Sequence, residues 1–228
     1  MTALTIARRT AAVALLASAL AACNNNTAKG PAVASSGDDM AIGSPNAPVK
    51  VVEYASPTCP HCAKYEKEDF PALKSKYIDT GKVYYVFHET PIHPQYDVPA
   101  FLLLRCLPKD KYFDGVKAVM DGQSEYFSPA ITGGPNADAQ VGEAFRTVLL
   151  RIAKDQGGMD ETKAMACMTD ESASDKLQAR TKADMDQNEV HSTPTFIVNG
   201  VKVVQPDTVE MSNALVFPAI DQALAKKS

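Results

Sequence analysis

Val51-Val52-Glu53-Tyr54-Ala55-Ser56-Pro57-Thr58-Cys59-Pro60-His61-Cys62 is the stretch on which the reading of this chain turns. An apolar, strand-like run ends in a Ser/Pro turn, and a helix is predicted to open on Cys59. Two thiols separated by two residues at a helix start can close a small disulfide. The first thiol sits by the unpaired N–H groups and the positive end of the helix dipole, which favour its thiolate. Pro60 suits the first helical position, where no N–H is missed. A protonated His61 would add positive charge near the Cys59 sulfur. This is redox chemistry, with Cys59, Pro60, His61 and Cys62 as candidate catalytic residues.

Outward from this stretch, residues 49–54 read as a buried strand, and the helix runs to Phe70, where Pro71 should kink or end it. Residues 82–88 (KVYYVFH) read as a second strand. The result is a βαβ unit with its cysteines at the carboxyl end of the first strand, where open α/β sheets place their active sites. Tyr84, Tyr85 and Phe87 are read as core strand residues. From about residue 94 to 190 the pattern is helical: Phe145, Val148, Leu149 and Ile152 share one face, Gly157-Gly158 closes that helix, and Asp160 and Asp170 cap two more. Strand signals return after Thr193-Pro194, with Asn199-Gly200 as a two-residue hairpin turn between residues 195–198 and 201–204. Residues 218–226 read as a closing helix. The order is β-α-β, inserted helices, β-β-α, over residues 43–93, 94–190 and 191–228.

Length and charge are compatible with one such unit: 228 residues carry a net charge of -4, with no basic run to suggest a nucleic-acid partner. The N-terminus is set apart. Arg8 and Arg9 precede an apolar run over residues 11–22, of signal-peptide length and too short to span a bilayer comfortably. It ends Leu20-Ala21-Ala22-Cys23, which resembles the lipobox of bacterial lipoproteins. That resemblance implies cleavage before Cys23 and its lipidation; the plain alternative is an Ala-x-Ala cleavage beside a bystander cysteine. Residues 24–42 are small and polar and read as a flexible tether, which would hold the folded part at a membrane surface without inserting it.

Of the five cysteines, four remain once Cys23 is set aside. Four cysteines allow three connectivities, in an exported chain where disulfides persist. The Cys-x-x-Cys geometry selects Cys59 and Cys62 as the reactive pair and leaves Cys106 and Cys167.

With Ser-Pro-Thr-Cys-Pro-His-Cys after the first strand and a distant Thr-Pro before the hairpin, the chain resembles the DsbA family of exported thiol:disulfide oxidoreductases. The resemblance covers roughly residue 45 to the C-terminus. It implies an α/β, thioredoxin-like fold with an inserted α-helical domain. It implies that Cys59 is the exposed nucleophile, Cys62 its buried partner, and Thr193-Pro194 a cis peptide lining the substrate groove. Glu53, six residues before Cys59, matches an acidic residue that relays protons beneath the disulfide; the alternative is an exposed carboxylate on a strand edge. Cys106 and Cys167 resemble a structural disulfide of some relatives, against the alternative of two buried free thiols.

The expected activity is introduction of disulfides into envelope or secreted proteins at the periplasmic face of the envelope. It needs no cofactor beyond the Cys59-Cys62 pair. Reduced exported proteins would be substrates, and a membrane redox partner would reoxidise the enzyme. Thr193 departs from the best-studied oxidases, which carry Val there, and is commoner in isomerase-like relatives, so isomerase or reductase duty is the alternative. The tether is too short and polar to be a dimerisation domain, which favours a monomer and an oxidase. A copper module using the two thiols and a histidine is a third reading, without a second ligand motif to support it. No metal ligands are assigned. Haem attachment is excluded because Ala63 stands where that motif needs His. His88 and His93 read as solvated loop residues, and His191 as edging the groove.

Overall fold

A computed structural model of the chain describes residues 38, 40–128, 133–134 and 136–226. The expected leader at 1–23, Cys23 and most of the expected tether lie outside them. Strand β1 (Met40–Ile42) is followed by β2 (Val49–Ala55), which is almost wholly buried and apolar except at Lys50 and Glu53. Helix α1 (Pro60–Glu68) follows, and Cys59 is its N-cap rather than its first residue. Pro71 does not stop the chain's helical course. It falls near the start of a second short helix, α2 (Phe70–Leu73), which runs into a π-helical turn at Lys74–Ile78. Strand β3 (Val83–Glu89) then pairs in parallel with β2, from Val49↔Val83 to Ala55↔Glu89.

Helices α3 (Pro94–Cys106), α4 (Tyr112–Asp121), α5 (Gln123–Tyr126), α6 (Ala137–Gly157), α7 (Glu161–Met168) and α8 (Glu171–Gln187) lie between β3 and the next strand. Asp160 and Asp170 cap α7 and α8, accepting from the N–H groups of Lys163 and Ala173. Gly158 ends α6 at φ +59°, a left-handed conformation that glycine adopts without a Cβ penalty. Strands β4 (Thr195–Val198) and β5 (Val201–Lys202) form a hairpin over Asn199-Gly200, both at positive φ. Pairing ends at Lys202, so the second arm is shorter than the expected 201–204. Helix α9 (Asn213–Ala225) closes the chain.

The sheet order is β1-β3-β2-β4-β5, with only the β2/β3 pair parallel. Two further expectations need correction. Met40–Ile42 lies within the expected tether, yet it pairs antiparallel with β3, Met40↔Phe87 to Ile42↔Tyr85. A three-residue apolar patch satisfies the otherwise open edge of β3, a reason that lies in the partner strand. Helix α9 begins at Asn213, well before Pro218. Asp69 at the end of α1 accepts from the Asn213 N–H at 2.9 Å, and the Tyr65 hydroxyl donates to the Asn213 side-chain oxygen at 3.0 Å. This anchored start carries the helix through Pro218.

One apolar core runs from the sheet into the inserted helices and includes both Cys59 and Cys62. Tyr65 packs on Phe196 of β4, ring centroids 4.7 Å apart, which seats α1 over the sheet. Burying an aromatic or aliphatic side chain of this size stabilises by roughly 1.5–3 kcal/mol. A disulfide joins Cys106 at the end of α3 to Cys167 in α7, with Cα atoms 6.4 Å apart.

Candidate active site

The site is built where β2 leaves the sheet. Ala55 ends the strand, the loop Ser56-Pro57-Thr58 turns the chain, and Cys59 caps α1 in an extended conformation (φ -76°, ψ 121°). Its sulfur accepts from the Cys62 N–H at 3.4 Å. Pro60 occupies the first turn, where its missing N–H leaves no gap in the ladder. Both thiols are free, and both are buried. This corrects the expectation of an exposed nucleophile: Cys59 is only 3% exposed and Cys62 is 0% exposed. The adjoining Thr193 backbone and the core beneath cover most of the first cysteine.

The two sulfurs have opposite acidities. The Cys59 thiol is drawn down to about 6, chiefly by the hydrogen bond from the Cys62 thiol. Burial opposes this, and the Thr193 side chain and the N–H groups of Cys62 and His61 reinforce it. Burial pushes the Cys62 thiol well up, aided by its bond to Cys59 and by the charges of Cys59 and Glu53. Cys59 is therefore the sulfur that ionises and Cys62 the one that holds its proton.

His61 departs from expectation. Its ring turns away to Glu210, Nδ1 lying 3.3 Å from the carboxylate, in a pair that is more than half exposed. Lys64 reaches the other oxygen of the same carboxylate. Solvent and an available acid draw the imidazole outward, so the contribution of His61 to the Cys59 thiolate is its backbone N–H and not an imidazolium.

The peptide Thr193-Pro194 is cis, and the Cys59 thiol donates to the Thr193 carbonyl at 3.4 Å. Both residues line a groove of about 690 Å³ that continues past Val203, Val204, Val209 and Met211, with His61, Lys64 and Glu210 along its rim. His191 is exposed at the approach to this peptide.

Glu53 does not sit on a strand edge. It is buried in the central strand β2, beside Phe87 of β3 and Phe196 of β4. Its pKa is pushed up to about 8, first by burial, with the charges of Glu66 and Cys59 adding to it. The Tyr85 hydroxyl, which donates to its carboxylate, opposes the shift. Tyr85 is a core residue of β3, as its sequence suggests, and its hydroxyl bond to Glu53 is a contact that a core-strand reading misses. Its place on the same inward face as Val83 and Phe87 was the available signal. Glu210, which takes up His61, carried no sequence signal at all.

His88 is also not a loop residue. It ends up 3% exposed in β3, stacked at 4.5 Å on Tyr54 with Nε2 3.3 Å from the Asp184 carboxylate. Burial, then the charges of Arg180, Arg105 and Lys50, lower its basicity to about 3, so it is neutral at ordinary pH. His93 caps α3 with an exposed ring whose Nδ1 lies 2.9 Å from the Thr58 hydroxyl. Cys106 and Cys167, bonded to each other, belong to the inserted helices. Among the described residues no group of three or more His, Cys, Asp or Glu is placed to hold a metal ion. Among them, too, no helix is long and apolar enough to cross a membrane.

Comparison with known proteins agrees with this geometry. The family model for thioredoxin (Thioredoxin_4) matches residues 35–216. A Rickettsia bellii protein named for protein-disulfide oxidoreductase activity is 33% identical over 187 residues, covering 82% of this chain and 65% of that protein. The chain thus spans just under two thirds of the length of that relative. Among solved structures, Wolbachia pipientis α-DsbA1 is similar with a TM-score of 0.69 and 25% identity, over 85% of this chain and 96% of that one. Bacillus subtilis BdbD shares the fold, with a TM-score of 0.62 and 20% identity over 82% of this chain and 93% of its own.

Proposed function

This chain belongs to the thioredoxin family, with a DsbA-like, thioredoxin-type α/β fold, and on that premise we propose that it is a thiol:disulfide oxidase. It gives the Cys59-Cys62 disulfide to reduced exported proteins. The observation that carries the reading is the split acidity of two sulfurs at one helix start, beside the Thr193-Pro194 groove.

The exchange runs in two displacements. A substrate thiolate, laid in the groove, attacks the Cys59 sulfur; an S–S bond forms to the substrate and the Cys59–Cys62 bond breaks. Cys62 leaves with the electron pair and takes a proton, for which Glu53, protonated below about pH 8, is the nearby donor. A second substrate thiolate then attacks the substrate sulfur of the mixed disulfide and expels Cys59 as a thiolate. The substrate dithiol is oxidised, and the enzyme disulfide is reduced to one thiol and one thiolate. Cys59 leaves readily because its thiolate is stabilised, and stabilising the reduced form makes the disulfide more oxidising. The Thr193 side chain is one of the groups that lower the Cys59 thiol. In this chain that threonine therefore favours the oxidising direction, against the isomerase reading.

Cleavage at the lipobox, lipidation of Cys23 and residence at the periplasmic face of the envelope complete the proposal. A membrane redox partner restores the disulfide, and the enzyme works as a monomer.

The test is a single turnover. Oxidised enzyme mixed with an equimolar reduced, unfolded ribonuclease should transfer one disulfide and, once acid-quenched and unfolded, show Cys59 and Cys62 both alkylatable. The rate should lose its step near pH 8 in Glu53→Gln, which cannot donate the proton. Absence of transfer would exclude the oxidase, and an unaltered pH profile would exclude Glu53 as the donor.

A further inference from the structure

The loop that presents Cys59 is held by more than its own strand and helix. Ser56, Thr58 and Asp97 are all essentially inaccessible to solvent. One Asp97 oxygen accepts from the Ser56 hydroxyl at 2.9 Å, the Thr58 hydroxyl at 2.8 Å and the Thr58 N–H at 3.3 Å. The other accepts from the N–H groups of Ile92 and His93 at 2.9 and 2.8 Å, tying the same carboxylate to the start of α3. A buried carboxylate with five donors is a rigid anchor, because moving the loop would leave a charge unsatisfied.

From the other side comes Gln123, the first residue of α5. Its Nε2 donates to the Pro57 carbonyl at 2.8 Å and to the Cys59 carbonyl at 3.0 Å. Two carbonyls facing one side-chain end require the NH₂ group there, with one hydrogen for each. The Cys59 carbonyl also accepts the first backbone bond of α1, from the Ala63 N–H at 3.0 Å. Gln123 therefore grips the peptide unit whose orientation aims the helix N–H groups at the Cys59 sulfur.

The geometry points to Asp97 and Gln123, both supplied by the inserted helices, as positioning residues that hold Cys59 in the helix-cap geometry from which its sulfur exchanges. The inference rests on the reading of Cys59 as the attacking sulfur. The insertion thereby gains a chemical role, setting the redox pair rather than only covering it.

The experiment uses the full chain carrying Cys23→Ser. It reads the Cys59 thiolate by its absorbance near 240 nm against pH, and the redox equilibrium against glutathione. Gln123→Leu removes both donors at a half-buried site. It is expected to raise the Cys59 midpoint by about half a unit to one unit, and to make the disulfide roughly threefold to tenfold less oxidising. Gln123→Lys restores a donor and is expected to leave the midpoint at or below its starting value. Loss of packing alone would affect Leu and Lys alike and would move neither readout in this pattern. Asp97→Asn, which faces its donors with an NH₂, is expected to act in the same direction as Gln123→Leu. If it fails to fold, the Gln123 pair still decides. Exposed Glu125→Gln on the same short helix should change nothing. A Gln123→Leu protein with an unchanged midpoint and equilibrium constant overturns the inference while leaving the oxidase intact. An unsubstituted protein with no Cys59–Cys62 couple overturns both.

Discussion

In a protein carrying Cys23→Ser, Cys59→Ser is expected to abolish disulfide donation completely and to leave no thiol that attacks glutathione disulfide at pH 7, whereas Cys62→Ser should still attack and then stop at the mixed disulfide. The asymmetry follows from the two acidities. With its midpoint near 6, Cys59 is roughly nine-tenths thiolate at pH 7, while burial holds Cys62 as the protonated thiol. Cys62 is also wholly buried, so in Cys59→Ser, made in the Cys23→Ser background, the remaining thiol is neither ionised nor reachable. In Cys62→Ser a hydroxyl still stands where the main donor to Cys59 stood, so much of the thiolate stabilisation should survive. Neither variant can close the disulfide. Mass spectrometry after incubation with glutathione disulfide checks this: a persistent glutathione adduct on Cys62→Ser and none on Cys59→Ser. An adduct on Cys59→Ser alone would reverse the roles.

The second large effect concerns stability. Glu89 ends β3 and is 0% exposed. It accepts from Arg105 Nε and Nη2 of α3, from Arg180 of α8 and from the Tyr112 hydroxyl of α4. One carboxylate thus binds three inserted helices to the strand that pairs with β2. Glu89→Gln removes the charge that two mostly buried guanidinium groups share. Taking one partner from a buried ion pair costs about 3–5 kcal/mol, far more than an exposed pair is worth. Urea unfolding should show a lowered midpoint with an unchanged slope. A loss below about 1 kcal/mol would mean that solvent reaches the guanidinium groups and replaces the carboxylate.

The parts of the fold that could be read from sequence were those dictated locally. The strand before Cys59, the Asn199-Gly200 hairpin, the aspartate caps and the Gly158 stop each depend on a few neighbouring residues. What could not be read depends on partners distant in sequence. Met40–Ile42 is a strand only because β3 offers it an edge. His88 is buried because Tyr54 and Asp184 close over it. Within the site, the cysteine pair and the Thr193-Pro194 peptide were legible from spacing and resemblance. The direction of the His61 ring was not, because it is decided by Glu210. Asp97 and Gln123 look in sequence like ordinary polar helix residues, and only the packing of the inserted helices turns them toward the loop.

The central claim is that the Cys59-Cys62 pair is an oxidant because the Cys59 thiolate is stabilised. The reduction potential of this couple, equilibrated against glutathione with Cys106 and Cys167 in their disulfide, tests it most directly. A Cys59 midpoint of about 6 lies between the roughly 7 of thioredoxin and the roughly 3.5 of DsbA. The predicted potential accordingly falls between their values of roughly −270 and −120 mV. A potential at or below roughly −270 mV would mark a reductant and contradict the account.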